Sequence, residues 1–302
     1  MTGRAGRRRL QATRRQALVA LLASGAAACA GGSVRAGPPR PLGLTSLTVA
    51  RELAADYAGT LRRARSLGYS HFGFPLGPQS PRHPAVRDPG EVAALCRAAG
   101  LQVGVVRLAH DDDYPRQMEM AAKLGASIVA QSAADVFFTG ETRGKTTRTA
   151  FEGWMERLAV MARAAREEGL RLVYHNHDWD HVPLAGKTPL ELIAASFAPG
   201  EVDFEIDLGW AYVAGVDPLN LLRDLGPRVL SLHLKDVDAS CSGNDCPRFV
   251  APGEGGMDYP ALMPWIDRVT DAQAYVEVDD PVDGMEAATS GARTILRARA
   301  AT

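Results

Sequence analysis

The chain has 302 residues, 46% of them hydrophobic and 23% charged, with a formal net charge of −1. Such a composition is ordinary for a soluble globular protein able to bury a full core, as one large domain or two small ones. Removing the leader described next takes away six basic and no acidic residues, leaving a net charge of −7 that argues against a nucleic-acid partner.

The first acidic residue is Glu52, whereas six arginines precede an apolar segment from Ala17 to Ala30 that ends in small residues. A basic, then apolar, then small-residue order is that of an export signal, assigned to residues 1–30. An amphipathic first helix is the poorer reading, because Ser24 alone gives the segment a polar face. The run is also shorter than the roughly 20 residues of a spanning helix. Arg14 and Arg15 in "TRRQAL" resemble a twin-arginine signal, whose pathway carries folded and often cofactor-loaded proteins. The expected location is periplasmic or secreted. Membrane association is expected only through this leader or through lipid attachment at Cys29.

A linker, residues 31–41 with "GPPRP", leads to a region spanning 42–302 in which short apolar runs alternate with helical periodicity. In order, the strand candidates are "LGLTSLTV", "SHFGFPL", "LQVGVVRL", "SIVAQSA", "LRLVYHNH", "VDFEIDLGW", "VLSLHLKDV" and "AYVEVDD". The helical segments begin with "ARELAADYAGTLRRARSLG" and end with "MEAATSGARTILRARA"; Gly68, Gly100, Gly125 and Gly169 mark stops. Eight strand-then-helix units in about 250 residues predict an α/β fold of the (β/α)₈ TIM-barrel type, with chemistry at the strands' C-terminal ends. A doubly wound sheet would announce a Gly-rich phosphate loop after its first strand, and none is visible.

Alternation along a strand places residues two apart on one face. The last four strands then present His175 with His177, Glu205 with Asp207, His233 with Lys235, and Glu277 with Asp279. Imidazoles and carboxylates converging from four strands suit one divalent ion, Mn²⁺ first, with Zn²⁺, Co²⁺ or Mg²⁺ as alternatives. Taken singly, a histidine after a strand is more often a hydrogen-bonded structural residue. Recurrence in register favours a site. Cys96 reads as a buried small hydrophobe. Cys241 and Cys246, close together in a Gly/Asn/Pro loop, read as a local disulfide, since a zinc pair would need two further ligands.

"YHNHDWD", "EIDLGWAYVAGVDPLNLLRDLGPRVLSLHLKD", "APGEGGMDYPAL" and "YVEVDDP", in that order, resemble the sugar phosphate isomerase/epimerase family with a xylose-isomerase-like TIM barrel. The resemblance covers residues 42 to 300. It implies a metal held by a glutamate on the fifth strand, an aspartate on the sixth, a histidine on the seventh and a glutamate on the eighth. The last three roles pass to Asp207, His233 and Glu277. On the fifth strand His175 replaces the ligand glutamate, with Asn176 and His177 after it.

The family's usual mechanism employs two glutamates on opposite faces of the substrate, and only Glu277 is retained. Glu277 is therefore the expected proton acceptor, and His177 or His175 the second acid/base. Lys235 is expected to neutralise an oxyanion or bind a substrate oxygen; its alternative is an ion pair with Asp236 or Asp238. Trp210 is either an apolar wall for a sugar ring or a core residue. Arg248, in the loop "RFVAPGEGGMDY", is expected to reach a substrate hydroxyl or phosphate. His71, His83 and His110 have no assigned role. The implied activity is a metal-dependent isomerase, epimerase or keto-sugar lyase acting by proton abstraction beside a carbonyl. The competing reading is a non-catalytic exported carbohydrate-binding barrel that keeps the metal site.

Overall fold

The computed structural model describes residues 40–77, 88–139, 142–242, 246 and 248–301. The leader, Cys29, the linker up to residue 39 and His83 lie outside the described residues. Eight apolar runs form strands β1 (Leu42–Thr45), β2 (His71–Pro75), β3 (Gln102–Arg107), β4 (Ile128–Ser132), β5 (Arg171–His175), β6 (Asp203–Asp207), β7 (Val229–Leu234) and β10 (Gln273–Val276). Each is parallel to its neighbours, and β10 pairs with β1 to close an eight-stranded barrel. Parallel neighbours require crossovers, which the intervening helices supply while covering the outer face of the sheet. Burial on both faces explains why β1, β2 and β6 are buried at every position. Among the described residues no helix is long and apolar enough to cross a membrane.

The larger part of the core lies between barrel and helices; a second, smaller cluster of Val105, Ala130, Val173 and Tyr275 fills the barrel itself. Tyr275 is two residues before Glu277 on the same strand face and plugs the barrel beneath it. Its ring leaves no room for neighbouring side chains: a Cβ at Gly104 would fall 2.3 Å from the tyrosine hydroxyl, and one at Gly43 would fall 2.3 Å from its ring. The hydroxyl is satisfied, accepting from the Val105 N–H at 3.2 Å and donating to Gln273 Oε1 at 2.6 Å.

Several boundaries differ from the expected ones; β1, β6 and β10 end at Thr45, Asp207 and Val276, short of the expected runs. The first helical segment breaks into Ala50–Ala55 and Tyr57–Ser66, because the Asp56 backbone is extended and its carboxylate accepts the Gly59 N–H to cap the second helix. The strand expected in "VLSLHLKDV" ends at Leu234. Asp236–Val237 (β8) instead pairs antiparallel with Phe249–Val250 (β9), outside the barrel. The fifth strand stops at His175, so His177 is not on it with His175; it caps the short 3₁₀ turn Asp178–His181. In the β8–β9 connection Cys241 and Cys246 form a disulfide, while Cys96 is buried and free.

Candidate active site

At the C-terminal ends of the strands, His175, Glu205, Asp207, His233, Lys235 and Glu277 converge, each at most 1% exposed. Asp207 Oδ2 lies 3.9 Å from His175 Nε2, 3.6 Å from His233 Nδ1 and 3.0 Å from Lys235 Nζ. Glu277 Oε1 lies 3.1 Å from His233 Nδ1 and 2.9 Å from Lys235 Nζ. A third carboxylate, Asp279, reaches the same ammonium at 3.0 Å. Lys235 therefore sits among Asp207, Glu277 and Asp279, not beside Asp236 or Asp238 as its alternative reading had it.

Local backbone needs hold these side chains in place. β6 ends at Asp207 because its carboxylate caps the helix Leu208–Val213, accepting the Trp210 N–H at 3.0 Å. Asn176 Oδ1 accepts the Asp207 N–H at 2.9 Å, tying the exits of β5 and β6 together. Asp236 faces away from the cluster. Its carboxylate accepts four amides, from Val237, Gly253, Gly255 and Met257, and so anchors the loop after β9.

The donor set suits a divalent ion. Ligand atoms of His175, Asp207 and His233 all lie within 4.8 Å of one another. His175 Nδ1, Glu205 Oε1, Asp207 Oδ2, His233 Nδ1 and Glu277 Oε2 are buried polar atoms without a hydrogen bond, concentrated at one point of the molecule. Such atoms are ordinarily satisfied, and a cluster of them marks a place for a ligand. Mixed imidazole and carboxylate donors are the chemistry of Zn²⁺ and Mn²⁺ sites.

Charge is distributed unevenly through the cluster. Burial, with Arg107 nearby, lowers His175 to about 4. Burial also holds His177 well below the ordinary imidazole value, with His175 adding to the effect. His233 goes the other way: burial opposes its charge, but the Glu205 and Glu277 carboxylates raise it to about 10. Glu205 is lowered to about 2 despite its burial, chiefly by His233 and His175. Glu277 is likewise driven well below the ordinary carboxylate value by His233, Lys235 and Arg107 against the opposing effect of burial, so it stands ionised.

The remaining expected site residues are placed as follows. His177 stacks on Trp179 with centroids 4.6 Å apart and lies 5.4 Å from the Trp210 ring. Trp210 packs edge-on against Phe249 at 4.6 Å, and Lys235 Nζ stands 4.7 Å from the Phe249 centroid. An aromatic wall thus flanks the ammonium. Arg248 is not brought to the cluster: its exposed guanidinium folds onto Asp238, because the β8–β9 turn directs it outward. His71 begins β2, at the opposite end of the barrel.

The fold brings in Arg107, which the sequence did not single out, and gives a place of its own to Glu205, named there only in its pair with Asp207. Arg107, the last residue of β3, puts Nη2 3.6 Å from Glu205 Oε1 and 3.7 Å from Glu277 Oε2. Glu205 shares the β6 face with Asp207, one step deeper. Arg107, Glu205, His233 and Glu277 face a small recess, with Thr45, Ser46 and Phe74 among its other walls. An ionisable residue closing an otherwise apolar strand was the available signal for Arg107.

Comparison with known proteins adds the following. The chain is 31% identical over 91 residues to an inosose dehydratase of Bacillus anthracis, a stretch covering 30% of each chain. The match therefore spans less than a third of that relative's length. A crystal structure of a sugar phosphate isomerase/epimerase from Parabacteroides distasonis superposes with a TM-score of 0.70 at 18% identity, covering 87% of this chain and 98% of the other. The IOLI protein, solved with a zinc atom bound, superposes with a TM-score of 0.65 at 13% identity, covering 86% of this chain and 98% of that one. The family model for the xylose isomerase-like TIM barrel matches residues 61–298, and the chain belongs to that family.

Proposed function

We propose that this chain is a divalent-metal-dependent enzyme that abstracts a proton beside the carbonyl of a small sugar or keto sugar. The product is an isomer or epimer, or, where a hydroxyl or glycosyl oxygen is lost from the neighbouring carbon, an unsaturated ketone. The reading is carried by one observation: buried, unbonded imidazole and carboxylate atoms from β5, β6, β7 and the end of β10 meet at one point. The names of the relatives, a dehydratase and an isomerase/epimerase, support both outcomes.

His175, Asp207, His233 and Glu277 are the residues that would hold the ion. When bound, a divalent ion supplies Lewis acidity that makes a carbon acid beside a carbonyl removable at neutral pH. Glu277, ionised in the recess, takes the proton. Lys235, with its ammonium against Phe249 and beside Trp210, places positive charge where an oxyanion develops. Arg107 presents a second cation across the recess, its Nη2 beside the Glu205 and Glu277 carboxylates. His177, held neutral by burial, is the second base. Its ring is extended from the β5 exit and has an unbonded, buried Nδ1.

The test is incubation of metal-free and metal-loaded protein with a panel of keto sugars in D₂O. Metal-dependent exchange of a carbon-bound proton is the expected result. Stoichiometric metal without exchange on any member would favour the carbohydrate-binding alternative.

Export is part of the same proposal. The disulfide between Cys241 and Cys246 supports an oxidising compartment. Replacing Arg14 and Arg15 by lysine is expected to retain the precursor in the cell; unchanged secretion would point to the general export route instead.

A further inference from the structure

Replacing a ligand carboxylate by an imidazole creates a problem of its own. Either oxygen of a glutamate can serve, whereas a neutral imidazole has one nitrogen with a proton and one without, and the wrong tautomer aims its proton into the site. A second acceptor must hold that proton on the far side. The barrel register supplies a candidate: β5 and β6 pair His175 with Glu205, and β6 and β7 pair Glu205 with Ser231 and Asp207 with His233.

Glu205 is fully buried, with Oε2 accepting the Ser231 hydroxyl at 2.8 Å. Its other oxygen, Oε1, lies 3.2 Å from His175 Nδ1 and 3.3 Å from His233 Nε2. The opposite nitrogens, His175 Nε2 and His233 Nδ1, both face Asp207 Oδ2. The two rings therefore share one acceptor behind them and one carboxylate in front.

We propose that Glu205 is a shared positioning residue for both imidazoles: Oε1 takes the Nδ1 proton of His175 and the Nε2 proton of His233, so that a metal would be met by the nitrogens that face Asp207, His233 releasing its Nδ1 proton to solvent on binding. Neither contact has hydrogen-bond angles as it stands, and Glu205 Oε1 is without a hydrogen bond. Donors and acceptor are already within 3.3 Å, so closing both contacts calls for reorientation and not for approach. His175 and Glu205 then act as a unit that stands in for the missing fifth-strand glutamate. Outer carboxylates of this kind fix the tautomer and raise the basicity of a ligating histidine.

The inference rests on the metal-dependent reading above, and its test separates the two. Long-range ¹H–¹⁵N spectra of ¹⁵N-histidine-labelled, metal-free mature protein should show neutral His175 with its proton on Nδ1. Glu205→Met should shift it toward the Nε2 form and weaken Zn²⁺ binding, measured against a competing chelator, by about 10- to 100-fold. Glu205→Gln keeps an acceptor oxygen and should fall between the two. Ser231→Ala, which only loosens the anchor of Oε2, should give a smaller loss of the same sign in a chain that still folds. His175 protonated on Nε2 in the unaltered protein would overturn the proposal, as would Glu205→Met binding zinc with undiminished affinity. Loss of zinc from both Glu205 variants with tautomers unchanged would also overturn it, by making Glu205 a ligand. If the unaltered protein binds no metal, the functional reading fails, while the tautomer spectra still decide the role of Glu205.

Discussion

Glu277→Gln is expected to slow proton exchange into a keto sugar by about two to four orders of magnitude, the scale of losing a general base. The substitution keeps the size of the side chain and one oxygen for a metal, but it removes the negative charge that pairs with Lys235 at 2.9 Å and His233 at 3.1 Å. Lys235 retains Asp207 and Asp279 as partners, so the fold is expected to survive. Metal affinity should weaken moderately while the exchange rate collapses, and measuring both on one preparation separates the two roles. Ordinary exchange with metal bound would reduce Glu277 to a ligand and move proton abstraction to His177, His175 or Lys235.

Asp207 carries the largest combined load. Asp207→Ala removes the oxygen that faces His175, His233 and Lys235, and it also removes the cap on the helix Leu208–Val213. Lys235 keeps Glu277 and Asp279 as partners, so the main structural loss is the helix cap, about 1 kcal/mol. Metal analysis is expected to find the variant empty, and urea unfolding to find it destabilised on that scale. Asp207→Asn keeps the cap and the shape, so it should recover part of the stability without recovering the metal. Full metal occupancy in both variants would remove Asp207 from the ligand set.

The barrel was legible because its signal is redundant: each of the eight runs is apolar enough to be buried in the barrel, and every described α-helix except Ala50–Ala55 is punctuated by a side-chain cap or a glycine. Boundaries were less so. Asp56 ends one helix by capping the next, a role that a helical pattern running through it conceals. The positions of Asp207, His233, Lys235 and Glu277 could be read because they lie at or just past strand ends, where alternation still governs direction. That rule lapses where the chain turns. His177 follows a strand that has already ended, and Arg248 sits in a connection whose course depends on the β8–β9 pairing and not on spacing to nearby glycines. Arg107 is a lone ionisable residue at the exit of β3, without the paired pattern that marks the last four strands. The importance of Glu205 is a matter of register between three strands, which only assembled neighbours reveal.

The tyrosine under Glu277 gives the site a closed bottom. With Tyr275 filling the barrel and Gly43 and Gly104 shaped to it, the space below the carboxylate is taken up by packed side chains. On the proposed mechanism, a hydron that Glu277 lifts from a substrate can pass to Lys235 or His233 or leave through the mouth that the substrate itself occupies. Delivery back to the same molecule then competes with escape, so label carried on the substrate carbon is conserved through part of each catalytic cycle. Deuterium gained from the medium accordingly undercounts the cycles completed, and a substrate labelled at that carbon, followed by its own retention, reports them more fully.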